Sequence, residues 1–589
     1  MTVSLTPGGA IQGISFAAST EGTAYNQLNL SSLHLPLTDT VVPARGSSTP
    51  TFTRATAAWS FDNEGKLNLN IPAGCPRFTG ARFVRNRVVG SSEDFTNASW
   101  TKSRATVVGN KLLDSVDAGT HRIYQSSGIP TGTWVLYAEL KASELTQAAL
   151  GVTNNTETGF GRFIFDLVNG TVGSNLGAYS GSASMTPLDN GYFGCQIIVT
   201  VPSTEASSAL QINTAKSDLV NYTGTGTDGV LIRKAQAELV SGQADQTASE
   251  YVSVGVLSSP YYGAGVDGCK WFPTNKDGSA ISSSTLEGYF AEPQRTNNCL
   301  WNRDLTNVAW TNTNITAAKT ATGLDNVANS ATRLTAAATD ATITQLLTAA
   351  TGTRTLSAYI KRVSGSGTIS LTRNGGTNWT DITSSLVTGS WVLVQMTSDV
   401  GANPTVGIKM GTSGDVIDVD CVQDENGAWA TSPILTTTAA VTRNGDVLSY
   451  TSAFDVAQGS ALCTVQSDVP VGTSIYMLGS EALGRLMYLA TATSRTQGTI
   501  YDGTTAESAA GLDLNTGMRK RCSRWGTDLA VCCDGGSLSP SAFDGSIGAS
   551  GTLFVGCSEG GGTQISGPIR EVHIWPTPLT DVQMKQVTS

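Results

Sequence analysis

A hydrolase of the Ser–His type needs a histidine base, and this chain of 589 residues has only three histidines, His34, His121 and His573. Nucleophilic and general-base catalysis need such a group within hydrogen-bond reach of the reacting atoms, and none of the three stands in a recognisable partner pattern. Gly556-Cys557-Ser558-Glu559-Gly560 fits Gly-x-Ser-x-Gly, but a nucleophile elbow lies between a strand and a helix. Here Gly561, Gly562 and Thr563 follow, so the stretch predicts a hairpin loop. Paired carboxylates for glycoside cleavage leave no local signature, because the fold brings them together. No catalytic residue and no cofactor is assigned, and the expectation is a chain without hydrolytic activity.

Two patterns suit binding. Asp418 and Asp420, in Asp415-Val416-Ile417-Asp418-Val419-Asp420, fall on one face of a strand, where clustered oxygens could hold a structural Ca²⁺; the alternative is an exposed polar face. Trp379, ending Arg373-Asn374-Gly375-Gly376-Thr377-Asn378, sits on a loop where a ring could pack on the apolar face of a sugar. Trp134, Trp391 and Trp575 lie inside strand patterns and read as core.

The elements that must carry these residues are strands. Trp134-Val135-Leu136-Tyr137-Ala138-Glu139-Leu140 and Gly229-Val230-Leu231-Ile232 read as sandwich strands, and 64 glycines with many Ser and Thr favour short strands joined by tight turns. The chain also repeats itself. Glu93-Asp94-Phe95-Thr96-Asn97-Ala98-Ser99-Trp100 returns as Arg303-Asp304-Leu305-Thr306-Asn307-Val308-Ala309-Trp310, with the tryptophans 210 positions apart (310 − 100). Each copy runs on through a strand ending in Lys (Lys141, Lys361) and a Gly/Ser-aromatic start (Gly191-Tyr192, Ser390-Trp391). Each closes on a similar word, Ala235-Gln236-Ala237-Glu238 or Val422-Gln423-Asp424-Glu425. A period this long means tandem domains, not stacked repeats.

These words, with Glu292-Pro293-Gln294-Arg295-Thr296-Asn297 before the second copy, resemble a module common in tailed-bacteriophage virion proteins, which implies a jelly-roll sandwich. The first copy carries Phe83-Val84-Arg85-Asn86 at that place, so the resemblance supports no equivalent surface role there. The last stretch, Ser566 to Asp581, is similar to the closing strand and short helix of concanavalin A-like (laminin-G-like) sandwiches. Ile569, Val572 and Ile574 supply an inner face, Thr580 a helix N-cap and Asp581 a favourable first turn. Upstream, Asp528 to Gly536 reads as a strand ending in an Asp-Gly turn.

The expected organisation is all-β: a segment 1–50 that attaches to a virion, a first jelly-roll-like module 51–255, a connection 256–300 packed on a neighbour, a second module 301–436, and a concanavalin A-like sandwich 437–589. Residues 1–50 read equally well as a first strand of the adjoining domain plus a loop. A net charge of −10 argues against nucleic-acid partners, and no apolar run is long enough to insert in a membrane. The opening residues show no basic segment or apolar signal core, so synthesis in the host cytoplasm is expected. The ten scattered cysteines read as free thiols, and adjacent Cys532 and Cys533 would point to opposite faces of a strand. The resemblance implies a fibre- or spike-type appendage at the virion surface, a homo-oligomer and more specifically a trimer, with other virion proteins and host surface glycans as partners. Rival readings are a capsid decoration protein and a glycan depolymerase.

Overall fold

The computed structural model describes residues 27–589 except 127–130, 155–157, 204, 206–207, 257–265, 468, 470–474, 482–484, 490–495, 544–546, 549 and 562. The turn-rich start of the chain (Thr6 to Gly9), Pro260, Gly263 and Gly265 therefore lie outside the described residues. The chain forms two compact units: one joins the segment up to Pro36 and Pro43–Pro50 to Leu448–Ser589, the other joins Leu37–Val42 to Thr51–Val447.

The larger unit contains the two repeated modules, and both are two-sheet antiparallel sandwiches. In the second, one sheet has the order Thr311–Thr313, Ala341–Leu346, Thr405–Met410, Ile369–Thr372, Thr380–Asp381. Its partner sheet has the order Ile315–Ala321, Ala331–Ala336, Val416–Asn426, Gly352–Ser364, Val392–Val400. The first module repeats this order strand for strand and adds Thr171–Asn175 and Gly181–Pro187, one at the edge of each sheet. Alternation places Trp134, Leu136, Leu150, Phe165 and Ile212 in one core and Leu334, Ile343, Leu356, Ile408 and Ile417 in the other. The fold is all-β, as the turn density and alternation require.

The repeated words are the parts that close each sandwich. Trp100 and Trp310 are buried, and their indole N–H groups donate to the carbonyls of Ser91 (2.8 Å) and Leu300 (3.1 Å). Asp94 and Asp304 each accept from the backbone and hydroxyl of the threonine two residues on. Just before the closing words, Lys234 and Cys421 both adopt φ of 51°, each beside a shift of register with the neighbouring strand. A β-bulge of this kind re-aims the residues that follow.

Asn86 occupies the same position in the first module as Asn297 in the second, although the words around them differ. Asn86 donates to the carbonyls of Ala235 and Val252 and accepts from the amides of Val88 and Ala237. Asn297 donates to Val422 and Ile434 and accepts from Cys299 and Asp424. All four hydrogen-bonding positions of each amide are used, so each asparagine straps the last strand to the chain that follows it. Gln236 and Gln423 act from the other side, accepting from the amides of Val252 and Ile434. The role of the Asn in the resembling word is thus buried, and the first copy keeps it. The strand Arg82–Arg85 pairs with Cys269–Phe272, and Arg295–Asn297 pairs with Val441–Arg443. A strand of the first module therefore falls inside the segment expected to be a connection.

Glu292, the first residue of that word, is buried too. It accepts from Arg77 (2.8 Å), Arg443 (2.8 Å) and the amide of Ser432 (2.6 Å), while Asp446 is shared by Arg54 (2.7 Å) and Arg77. Three guanidinium groups thus surround two carboxylates, all at most 2% exposed. Burial alone would raise the Glu292 carboxyl, but Arg443, Arg77 and Ser432 hold it down to about 2.

In the smaller unit, one sheet runs Ala530–Cys533, Arg519–Trp525, Gly459–Val465, Gly567–Trp575, with Leu33–Leu35 paired to the last. The other runs Val447–Tyr450, Leu553–Val555, Ile475–Gly479, Arg485–Leu489, Gln497–Tyr501, Ala506–Ala510. The helix Asp581–Thr588 starts at Thr580, whose hydroxyl accepts from the amide of Gln583 while the Gln583 side chain accepts from Thr580, a capping box. Met584 and Val587 of this helix pack on Leu462, Cys522 and Cys532. Gly459–Val465 is consequently buried on both faces, and its centre, Ala461-Leu462-Cys463, is a short apolar run. Cys532 contacts Thr588 and Cys533 contacts the Ala509 carbonyl, on opposite faces. All ten cysteines are free and buried. Within the segment expected to be a separate anchor, Leu33–Leu35 is a strand of this sandwich, because its backbone groups complete the edge of Gly567–Trp575.

Candidate functional site

A groove of about 790 Å³ lies at one end of the second module, lined by the turn Arg373–Asn378 with Thr380 and by Gln395–Thr405. Its geometry starts from Asp424, a buried carboxylate at the place where the first module has Ala237. Asp424 binds Arg354 (2.8 Å) on its own sheet and Arg373 (2.7 Å) on the facing one. Burial pulls the Arg373 guanidinium below its ordinary value, opposed by Asp424. Arg373 then donates to the carbonyls of Arg354 (2.5 Å) and Ser398 (3.0 Å), fixing the groove wall.

The turn above is equally fixed. Asn374 Oδ1 accepts from the Asn378 amide (2.9 Å) and the Thr372 hydroxyl (3.0 Å), and Gly376 donates to Thr372 (3.0 Å). Gly375 and Gly376 have φ of 70° and 87°, the left-handed region that glycine enters without a Cβ penalty. Asn374 and Asn378 are exposed, and among the described residues the Asn378 side-chain amide and the Asn374 NH₂ have no protein partner. Across the groove, Asp399 accepts from the Thr353 hydroxyl (2.5 Å) and the Gln395 side-chain Oε1 accepts from the Ala430 backbone amide (3.1 Å). Pre-positioned amides and one carboxylate can bond neighbouring hydroxyls of a polyol.

Trp379 flanks this groove without lining it. It is half-buried, its ring lies close against Gly376, and the Lys409 ammonium stands 5.3 Å from the ring centroid. The ring acts as a buttress for the turn rather than as an open platform. Asp418 and Asp420 share a strand, but both are fully buried. Asp418 is held by Arg333 (2.8 Å) and Lys361 (3.1 Å), and Asp420 by Arg303 through two contacts (2.7 and 2.8 Å) and by the Leu324 amide (2.9 Å). Their charge is balanced by cationic side chains, so the pair is neither a Ca²⁺ site nor an exposed face; a bare list of alternating acids does not reveal which cations will face them. Trp134 and Trp575 are core residues, whereas Trp391 is half-buried under Lys361. After Leu553–Val555 the Gly-x-Ser-x-Gly stretch enters a single turn, Glu559–Gly561, and among the described residues the next element is the strand Gly567–Trp575. His121 bonds the carbonyls of Arg104 and Tyr222, while His34 and His573 stack on each other.

Asn374 and Asn378 stand in the same sequence word as Trp379, and Asp424 in place of Ala237 is the sequence difference that marks the buried anchor of the groove. A second cleft of about 640 Å³ lies between the two modules, bordered by Leu67, Val201, Pro202, Leu239, Val327 and Asp325.

No protein-family model matches the chain, and no curated protein matches it. Among solved structures, the chain is similar to the N-terminal CBM22-1-CBM22-2 tandem domain from Paenibacillus barcinonensis Xyn10C, at 11% identity and a TM-score of 0.18, covering 61% of this chain and 99% of that one. It is similar also to a Paenibacillus xanthan lyase at 13% identity and a TM-score of 0.18, covering 60% of this chain and 27% of that one. At these scores the fold assignment rests on the strand order described above.

Proposed function

We propose that this chain is a non-enzymatic bacteriophage virion protein of fibre or spike type, displayed on the particle surface, whose second sandwich module binds host surface glycans. The observation that carries the binding reading is the rigid groove of the second module, with Asn374, Asn378, Gln395 and Asp399 at its rim and Arg373 beneath it. Amides and a carboxylate held by the fold lose little entropy on binding, which suits recognition of hydroxyl-rich ligands. The virion reading is supported by the repeated words and their resemblance to phage modules. In this reading the protein docks to other virion proteins through residues before the strand Leu33–Leu35 and works as a homo-oligomer, specifically a trimer, so that weak sites gain avidity.

The test is binding of purified full-length protein to host capsule and lipopolysaccharide fractions by calorimetry, with Asn374→Ala/Asn378→Ala as the variant. The double variant is expected to weaken binding at least ~10-fold while keeping its circular dichroism, since each lost polar contact contributes roughly 1 kcal/mol. Undiminished binding would refute the groove, and release of new reducing ends would refute the non-enzymatic reading.

A further inference from the structure

We infer that His34, Glu571 and His573 form a binding site for a zinc-class divalent ion, which pins the strand Leu33–Leu35 to the C-terminal sandwich. His34 and His573 are directly opposed residues of paired strands, and Glu571 lies two residues before His573 on the same strand. The candidate ligand atoms of the three all lie within 4.8 Å of one another. Glu571 and His34 are half-buried and His573 is 3% exposed, so the site borders solvent on one side.

Ser31 Oγ lies 3.1 Å from His573 Nδ1, and Arg45 donates to Ser31 Oγ (2.9 Å), so one imidazole nitrogen is held from behind. The other, His573 Nε2, faces Glu571 Oε2 at 3.4 Å, close to the ligand–ligand edge of about 3.3 Å in a tetrahedral site with bonds of ~2.0–2.1 Å.

The surrounding contacts are those of an oriented ligand set. Ser31 holds the other nitrogen of His573, and Thr464 donates to Glu571 Oε1 (3.0 Å), leaving Oε2 for the ion. The His34 ring stacks on His573 with centroids 4.2 Å apart, which sets the two imidazoles side by side where their strands pair. Two imidazoles with one carboxylate select Zn²⁺, Co²⁺ or Ni²⁺ over Ca²⁺ or Mg²⁺, which prefer oxygen ligands, and water would fill the fourth position.

The experiment is titration of tag-free, chelator-treated full-length protein with Zn²⁺ by calorimetry, and with Co²⁺ by visible absorption. One ion per chain is expected, with tetrahedral Co²⁺ bands and a rise in melting temperature on adding Zn²⁺. His34→Ala and Glu571→Gln, both at half-buried positions, should each weaken binding by at least ~10-fold. Absence of stoichiometric binding, or binding unchanged in both variants, would overturn the assignment. Should His34→Ala fail to fold, Glu571→Gln alone decides through the same Co²⁺ bands.

Discussion

Replacing Glu292 by Gln should destabilise the larger unit by about 3–5 kcal/mol. The structure gives two routes to that figure. Holding the Glu292 carboxyl down from 4.5 to about 2 corresponds to roughly 3 kcal/mol of folded-state preference for the charged form, at ~1.36 kcal/mol per unit. Removing one member of a buried ion network also costs ~3–5 kcal/mol, because Arg54, Arg77 and Arg443 would face Asp446 alone. The acid dependence supplies an internal control. The folded value lies below the unfolded one, so this stabilisation is complete above the unfolded value near 4.5 and is lost as pH falls toward 2. At pH 3 the wild type should have lost about 2 kcal/mol through this group, a loss the Gln variant cannot show. Urea unfolding followed by tryptophan fluorescence at pH 7 and pH 3 measures both quantities. A Gln variant within ~1 kcal/mol of wild type at pH 7, or one with the wild-type acid slope, would refute the reasoning.

Asn86→Ala and Asn297→Ala should each cost about 3 kcal/mol, since four buried backbone groups lose their partner; hydrogen exchange should rise around Val252 in the first variant and Ile434 in the second, and uniform protection would count against the strap. Thr580→Ala removes the capping box and should cost ~1 kcal/mol, read as a lower melting temperature of the C-terminal sandwich. Deleting residues 1–36 removes the edge strand Leu33–Leu35 and should lower that sandwich's melting temperature below that of a 1–26 deletion; equal stability of the two truncations would show that the strand contributes nothing. For attachment, the 1–26 deletion is accordingly the informative one: loss of incorporation into particles supports docking through the N-terminal residues, and normal incorporation removes it.

The amino-acid sequence by itself determined what local chemistry can write. Alternation in Trp134 to Leu140 set a half-buried strand, Thr580 with Asp581 set a helix start, and two copies of one Trp-centred word announced two copies of one sandwich. These outcomes depend on side-chain period and on neighbours a few residues away. The tertiary structure decided everything that joins distant segments. Asp418 and Asp420 have the spacing of a cation site, yet Arg303 from a turn and Arg333 and Lys361 from other strands neutralise them. Glu292 looks like a surface acid until Arg77 and Arg443, 215 and 151 positions away, close around it. Asn86 and Asn297 do one job within different words because that job is set by backbone groups of the last strand, which no local pattern encodes. The wall of the groove beside Trp379 has a related origin: a single carboxylate, Asp424, draws Arg373 under the turn, and the energy of that contact depends on two sheets facing each other.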